Sequence, residues 1–407
     1  MSRGLLGTCG ARSGSQPFHT QSWEIRENAA VRMASRLLLV AKFRSNPRVA
    51  RGIEQLQLIV QRDEGRRGIS PLTQPGQLLA VATELLDAAT ATGSTNGVII
   101  LTGFPCMRDR TPPTETDGPP GAAAVARSLH ALGMRVRLPI EEHSAAVLDQ
   151  CIEATMGGMV DAHDDAPLVL SFPAAADWDA ADDARLTTLR ASSSVVLCIE
   201  RAGQSADGVC RTMRGFPMGR TLVAHQLNSL LELPADGSPP LRSMAIGDGG
   251  NELGLGGLHP LICEHVPNGA VIGCVVPAHA VLVASVSNWG AYALCHALAL
   301  LAWDRRQQIR SGANGTSSAS SASSASSASS ASSINDTGCT RLSAAAYLDV
   351  VAPDSAAVRH AILAANAAGA VDGITAQAGG AVDGMPLEKQ CAVVEELRAV
   401  CLEHMVD

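Results

Sequence analysis

The sequence of 407 residues has few of the side chains that recognise nucleic acids or phosphate groups. Aromatic residues make up 3% of the chain, the formal net charge is −8, and no lysine occurs between Lys42 and Lys389. Nucleic-acid-binding proteins usually carry basic surfaces interleaved with aromatic side chains, so these values exclude a nucleic-acid partner. Lysine is the usual point-charge partner of phosphate, and its scarcity disfavours an enzyme of phosphoryl transfer.

The sequence also has no paired cysteine motif and no long apolar run. Its 11 cysteines are dispersed and form no CxxC pair, and several lie in apolar segments, as Cys198 does. This pattern is typical of reduced cysteines in the core of an intracellular protein. The longest apolar run, residues 289–303, is shorter than the roughly 20 residues that cross a bilayer, so we predict a core helix there and no membrane partner.

Short apolar segments alternate with helical patterns between residues 76 and 303. Strands are predicted at 98–101, 134–138, 167–171, 194–200, 242–246, 271–276 and 281–284, and helices at 76–90, from 119, at 143–156, 180–193 and 220–233, and from 289. Such alternation favours a parallel sheet with helices on both faces. We therefore predict an α/β fold with a mainly parallel, doubly wound sheet, in which glycine-rich loops at the strand ends form the site.

The composition divides the chain into four parts. Residues 1–23, with two arginines and no acid, fit either a mitochondrial transit peptide or a disordered N-terminus. Residues 24–310 form the predicted catalytic core with a helical preface. The Ser-Ser-Ala repeats of residues 311–335 predict a disordered insertion, because they offer no apolar face to bury. Residues 336–407 form a mainly helical part that we expect to pack on the core.

The C-terminal part contains the pentapeptide GAVDG twice, at 369–373 and at 380–384. Two interpretations stay open. The pentapeptides are either coincidental turns or acidic loops that return to the site.

A glycine-rich segment, SMAIGDGGNELGLGG at 243–257, follows a predicted strand and leads towards a helix. Six glycines within 11 residues let the backbone turn sharply and approach a ligand closely. Asp248, Asn251 and Glu252 lie among these glycines. The glycine spacing fits neither a Walker A loop nor a dinucleotide-binding fingerprint, so the carboxylates and the amide are the chemical signal of this loop.

Three other predicted strand ends or helix starts carry polar side chains of the same kind. They hold Glu115 and Asp117, then Glu200 and Arg201 with Arg214 beyond, then Ser287 and Asn288. The carboxyl ends of parallel strands lie along one edge of a sheet, so we expect these residues to meet the glycine-rich loop there. Capping of the helices that begin at 119 and 289 is an alternative role for Asp117, Ser287 and Asn288.

Clustered carboxylates without cysteine or histidine partners permit two kinds of chemistry. They are hard oxygen ligands that suit Mg²⁺ or Mn²⁺, or they divide the roles of general acid and base between them. The planar guanidinium groups of Arg201 and Arg214 suit a substrate carboxylate, which they can bind through two hydrogen bonds. An amino-acid-like substrate would satisfy both features.

Four sequence blocks resemble the signature blocks of the D-glutamate cyclase family and stand in the same order. They are ETDGPPGA (115–122), IERAGQSADGVCRTMRG (199–215), IGDGGNELGLGG (246–257) and VSNWGAYAL (286–294). The resemblance implies a hydro-lyase that converts D-glutamate into 5-oxo-D-proline with loss of water. For animal members it implies the mitochondrial matrix, with the cytoplasm as the alternative location.

Closing the ring of 5-oxoproline requires the α-amine to attack the γ-carboxylate carbon while an oxygen leaves as water. We predict Asp248 and Glu252 as the acid–base pair, with Glu200 as a further catalytic carboxylate. The oxyanion would be stabilised by the backbone amides of Gly249 and Gly250 or by bound Mg²⁺ or Mn²⁺. The predicted metal ligands are Glu115, Asp117 and Asp248, and the predicted substrate-binding side chains are Arg201, Arg214, Asn251, Ser287 and Asn288.

Two other functions stay open at this point. One is a metal-dependent hydrolase or phosphoryl-transfer enzyme that uses the acidic, glycine-rich loops. The other is a non-catalytic amino-acid-binding module. The sequence does not determine the oligomeric state, and a homo-oligomer stays open.

Overall fold

The computed structural model describes residues 46–66, 68–91, 95, 97–157, 168–234, 237–315 and 342–405. The predicted N-terminal segment at 1–23 lies outside the described residues. So does the predicted Ser/Ala insertion, apart from residues 311–315 at the end of a helix.

Six parallel strands form one sheet in the order β3-β2-β1-β4-β5-β6. The strands are β1 (Gly97–Gly103), β2 (Arg135–Glu141), β3 (Val169–Phe172), β4 (Val195–Arg201), β5 (Arg242–Gly247) and β6 (Ala280–Val283). This is a doubly wound sheet: from β1 the chain adds strands first towards one edge and then, starting with β4, towards the other, so the strand order reverses between β1 and β4 while all strands stay parallel. The predicted parallel α/β sheet is therefore confirmed.

Helices cover both faces of the sheet. They are α1 (Pro47–Val60), α2 (Gln77–Thr90), α3 (Pro119–Ala131), α4 (Glu142–Met156), α5 (Ala180–Ala191), α6 (His225–Asn228), α7 (His259–His265), α8 (Gly269–Ile272), α9 (Ser287–Gly315), α10 (Ala344–Val351), α11 (Ser355–Ala367) and α12 (Leu387–His404). Alternate residues of β1 supply two apolar cores. Val98 and Ile100 pack with α1–α4 and α9–α12, whereas Ile99 and Leu101 pack with α5–α7.

The apolar run at 289–303 forms the buried part of helix α9, as predicted for a core helix. Trp289 and Tyr292 on this helix are fully buried in the core that contains Val98 and Ile100. Helix α12 from the C-terminal part packs beside α9, and α11 packs against α4. Among the described helices, none combines the length and the apolar character that a membrane span requires.

The predicted strand at 271–276 is wrong. Helix α8 occupies Gly269–Ile272, and an irregular segment then runs to β6. The backbone N–H groups of that segment pair with other loops instead of a strand: Cys274 donates to Gly250 O at 2.9 Å and Val275 donates to Gln204 O at 2.9 Å. A short apolar run does not distinguish a strand from a buried brace, because both need apolar side chains.

Helix α6 and the 3₁₀ turn Ser229–Leu231 together are shorter than the helix predicted at 220–233. The nine cysteines in the described part of the chain are all free thiols, in line with the expected reduced state.

Candidate functional site

A cavity of about 440 Å³ lies at the carboxyl ends of β1 and β4, where the strand order reverses. It is lined by Phe104 directly after β1, by Glu200 at the penultimate position of β4, and by Glu252 in the glycine-rich loop after β5. Open α/β sheets bind their ligands at this position, because the loops from the two strands diverge there and leave a crevice. The expected meeting of the strand-end loops therefore occurs at one site.

The charged residues of the cavity separate by depth. Four acidic side chains are buried, and they are Glu115, Glu200, Glu252 and Asp383. Three arginines, Arg108, Arg110 and Arg214, are exposed at the opening together with one acid, Asp109. We call these groups the acidic wall and the arginine rim. A small molecule with a cationic centre and carboxylate groups matches this arrangement.

Asp117 and Asn288 each cap a helix other than their own. Asp117 precedes α3, yet its carboxylate accepts hydrogen bonds from the N–H groups of Ser287 at 2.9 Å and Asn288 at 2.8 Å, at the start of α9. Asn288 in turn accepts hydrogen bonds through Oδ1 from the N–H groups of Gly118 at 3.0 Å and Gly121 at 2.8 Å, at the start of α3. These reciprocal caps pair the first turns of two helices and hold both beside the cavity.

The side chain of Glu200, a member of the acidic wall, meets those of Asp117 and Asp248. One carboxylate oxygen of each lies within 4.8 Å of the others, and all three residues are buried. Two of the predicted metal ligands, Asp117 and Asp248, thus come together, but Glu200 and not Glu115 is their third neighbour. Carboxylates this close do not all carry charge unless a cation lies between them, so the cluster suits either shared protons or Mg²⁺ or Mn²⁺.

Glu200 combines a raised pKa with an uncommon backbone conformation. Burial raises the pKa of Glu200 well above its ordinary value, and the nearby carboxylates of Glu252 and Asp117 raise it further. The φ of Glu200 is 44°, in the left-handed region that costs free energy for any residue except glycine. The hydroxyl of Ser287 donates to Glu200 Oε2 at 2.6 Å. The structure therefore holds, at the cavity surface, a carboxyl group that binds its proton more tightly than an exposed glutamate does.

Glycine is required beside Glu200. Gly118 has a φ of 100°, and an added Cβ would lie 2.7 Å from Thr102 Oγ1 and 2.9 Å from the Cβ of Glu200. Only a residue without a side chain fits between these groups.

The glycine-rich loop folds around Glu252. Its Oε1 accepts hydrogen bonds from the N–H groups of Gly249 at 2.6 Å and Asp248 at 3.2 Å, and its Oε2 accepts one from Gly250 at 2.7 Å. Gly249 and Gly250 were predicted to stabilise a substrate oxyanion, but their amides already donate to this carboxylate. Asn251, which lines the cavity, anchors the loop by donating to the carbonyl of Arg211 at 2.8 Å.

Arg201 lies on the other side of β4 and is 1% exposed. Its guanidinium donates two hydrogen bonds of 2.7 Å to the carboxylate of Glu141, and its Nε donates to Asn228 at 2.9 Å. Burial alone would raise the pKa of Glu141, but the charge and hydrogen bonds of Arg201 hold it below its ordinary value. This pairing replaces the predicted role of Arg201 in substrate binding, and Arg214 is the predicted arginine that lines the cavity.

The sequence model of a family described as D-glutamate cyclase-like, C-terminal, matches residues 56–398. The chain belongs to this D-glutamate cyclase-like family. The resemblance inferred from the four sequence blocks is thereby confirmed.

One curated relative is the human protein named "D-glutamate cyclase, mitochondrial". It is 33% identical to this chain over 258 residues, which are 61% of this chain and 39% of the relative. The matched segment thus covers well under half of the relative's length. The activity in the relative's name is therefore a proposal for this chain.

The family match extends through both GAVDG pentapeptides. The second supplies Asp383 to the acidic wall, whereas the first keeps Asp372 wholly buried outside it. The N–H of Thr116 donates to the carbonyl of Val371 at 3.0 Å, which joins this segment to the loop before α3. The interpretation of acidic loops that return to the site therefore holds for Asp383.

The cavity also contains residues that sequence reasoning missed. Arg108 and Arg110 lie in the charged, proline-rich loop after β1 and belong to the arginine rim. Within the described residues, the side chains of Arg110 and Arg214 make no hydrogen bond and no ion pair. The signal in the sequence was a pair of arginines in the charged loop that follows a buried strand. Cys106 lines the cavity as well, but burial and the charge of Glu115 raise the pKa of its thiol, so it is a poor nucleophile.

Proposed function

We propose that the protein is a lyase that converts D-glutamate into 5-oxo-D-proline and water. The observation that carries the proposal is Glu200, a buried carboxyl group with a raised pKa on the wall of a cavity that has arginines at its opening. Membership of the D-glutamate cyclase-like family supports the enzyme class. The name of the human relative supports the substrate and a mitochondrial location.

The arginine rim would bind the α-carboxylate of the substrate. Arg110 and Arg214 are exposed, line the cavity and have no ionic partner among the described residues. A guanidinium group binds a carboxylate through two parallel hydrogen bonds, which sets the direction of the ligand as well as its position. With the α-carboxylate held at the rim, the amine and the γ-carboxyl group would extend towards the acidic wall.

Glu200 would act as the general acid. The protonated carboxyl group donates a hydrogen bond to the γ-carboxylate, which neutralises repulsion from the acidic wall and makes the carbon more electrophilic. The amine then attacks that carbon, and Glu200 transfers its proton to the departing oxygen. Over the whole reaction two protons leave the nitrogen and two reach the oxygen that departs as water. Asp248, which has a carboxylate oxygen within 4.8 Å of one of Glu200, would return a proton to it.

Asp117, Glu200 and Asp248 would also be the residues that hold Mg²⁺ or Mn²⁺. Three carboxylate oxygens within 4.8 Å of one another fit the spacing of ligands around such an ion. A bound ion would polarise the γ-carboxyl group of the substrate. In that case Glu200 is a ligand in its ionised form, so the protonated and metal-bound forms of the cluster are mutually exclusive.

The decisive experiment is proton NMR of the purified full-length protein incubated with D-glutamate or with L-glutamate. Each reaction is run after chelator treatment, with and without added Mg²⁺ or Mn²⁺. Formation of 5-oxoproline from the D enantiomer establishes the cyclase, and its dependence on the ion distinguishes the two forms of the cluster. A folded protein that binds D-glutamate without making product is instead the amino-acid-binding module. If the folded protein shows no binding of glutamate and forms no product, a hydrolase or phosphoryl-transfer enzyme is favoured.

A mitochondrial matrix location is the remaining part of the proposal. It is tested by importing the full-length chain into isolated mitochondria and sequencing the N-terminus of the protected product. Cleavage near residue 23 supports a transit peptide, and exclusion of the chain from mitochondria favours the cytoplasm.

A further inference from the structure

The C-terminal part of the described chain delivers Asp383 to the cavity on a tight hairpin turn. Val382 and Met385 exchange both backbone hydrogen bonds, at 3.0 and 2.9 Å, around Asp383 and Gly384. The φ values of these two central residues are 52° and 71°. A type I′ turn requires positive φ at both positions, and Asp-Gly is one of the pairs that adopt it most readily. The local sequence therefore determines the backbone conformation from which the side chain of Asp383 projects.

The first GAVDG pentapeptide holds this turn in place. Asp372 accepts a hydrogen bond through Oδ2 from the N–H of Gly384 at 2.7 Å. Its Oδ1 accepts hydrogen bonds from the N–H groups of Ile374 at 3.1 Å and Thr375 at 2.6 Å. Asp372 is completely buried, so these bonds are shielded from water. The two similar pentapeptides thus have different roles: one aspartate positions the other.

Like Asp383, the other acids of the wall interact with neighbouring groups. Glu252 accepts three backbone N–H groups of its own loop. Glu200 accepts the hydroxyl of Ser287 and is the proposed acid. Glu115 packs tightly on Gly373, where an added Cβ would lie 1.7 Å from its Oε2. Asp383 is 7% exposed, lines the same cavity and lies near enough to Glu200 to act on it electrostatically.

We propose that Asp383 binds the α-ammonium group of the substrate and accepts its proton. In this step one N–H bond breaks, its electron pair stays on the nitrogen, and the proton moves to a carboxylate oxygen of Asp383. The freed amine is the nucleophile that attacks the γ-carboxyl carbon. The inference rests on the proposed cyclase function, because it names the base that the reaction requires.

The test uses two ligands that differ only in the amine. D-aspartate and succinate are both four-carbon dicarboxylates, and D-aspartate does not close a five-membered ring, so both serve as equilibrium probes in calorimetry. The variant is Asp383→Asn in the full-length protein. Asparagine tolerates positive φ and Asn-Gly is also favoured in a type I′ turn, so the backbone of the turn is preserved. Mass spectrometry before each titration verifies that the new amide has not hydrolysed.

The native protein should bind D-aspartate more tightly than succinate, and Asp383→Asn should lose this preference by about 10- to 100-fold, as expected for one hydrogen bond to a charged group. Succinate binding should be unchanged, which shows that the cavity is intact. Asp372→Asn, which loses the bond to Gly384, should reduce the same preference by a smaller factor. Asp354→Asn is the matched control, because that exposed aspartate caps helix α11 away from the cavity.

The outcomes separate this inference from the function on which it rests. If the native protein forms no 5-oxoproline from D-glutamate, the proposed function fails. If the native protein forms it but shows no preference for D-aspartate, or Asp383→Asn keeps the native preference, the assignment of Asp383 is overturned. Loss of the preference together with at least a 100-fold loss of turnover supports it.

Discussion

Glu200 and Arg201 are neighbours at the end of β4, and the structure treats their charges in opposite ways. Arg201 faces Glu141, and the pair is buried with matched charges and matched hydrogen bonds. Glu200 faces Asp117 and Asp248, and its conformation and its pKa are both displaced from their ordinary values. A buried charge that is fully paired serves the fold, whereas a buried group held among like charges is typical of a functional site.

Of the two neighbours Glu200 and Arg201, Glu200 should have the larger effect when its charged group is removed, and that effect should be on activity. Glu200→Gln keeps the size of the side chain but has no proton to transfer, so 5-oxoproline formation should fall by about 10²- to 10⁴-fold. The measurement is the initial rate by NMR, with thermal unfolding as the check on folding. A variant that keeps more than about a tenth of the native rate would remove Glu200 from the mechanism.

Loss of the Arg201 side chain should reduce the stability of the fold, in contrast to the loss of activity expected for Glu200. Arg201→Met leaves the buried carboxylate of Glu141 without its partner, and the free energy of unfolding should fall by about 3–5 kcal/mol. Denaturant titration measures it. Arg62→Met is the matched control, because the exposed pair of Arg62 and Glu396 should contribute less than about 1 kcal/mol. Equal losses in the two variants would contradict a structural role specific to Arg201.

The reciprocal caps should contribute less than the buried ion pair. Asn288→Ala removes the acceptor of the Gly118 and Gly121 N–H groups, so unfolding free energy should fall by about 2 kcal/mol. Ser343→Ala, which removes an exposed cap from helix α10, is the control and should cost about 0.5–1 kcal/mol. A larger loss in the control than in Asn288→Ala would show that the paired caps do not hold the two helices together.

The pH dependence of stability should show the smallest effect. Because the folded pKa of Glu200 is raised, the folded state binds a proton more tightly than the unfolded state. Its contribution is therefore complete below the ordinary pKa of a glutamate and is lost as pH rises towards the folded value, at a slope of at most about 1.4 kcal/mol per pH unit. Denaturant titrations between pH 4 and pH 8 should show a shallower fall in Glu200→Gln. Identical profiles would contradict the raised pKa.

Much of the site followed from the sequence because parallel strands bring their carboxyl ends to one edge. That rule predicted the approach of Asp117, Glu200 and Asp248 from loops far apart in the chain. The rule did not show which of Arg201 and Arg214 lines the cavity. Neighbouring residues at a strand end point to opposite faces of the sheet, and only packing decides which face of β4 holds the cavity and which face Arg201 occupies. The segment at 271–276 was misassigned for a related reason, since its backbone partners are loops that no local pattern reveals.

The sequence by itself determined the six strands of the sheet, most of the helices around it, the turn at Asp383 and Gly384, and the need for glycine in the loop after β5. These depend on apolar periodicity and on the φ values that each residue tolerates, which are local properties. Only the tertiary structure decided which charges are paired. Arg201 meets Glu141 across 60 residues and Asp117 meets Ser287 across 170, so their partners depend on how the whole chain packs. The same packing buries Glu200 among carboxylates, and burial sets its pKa.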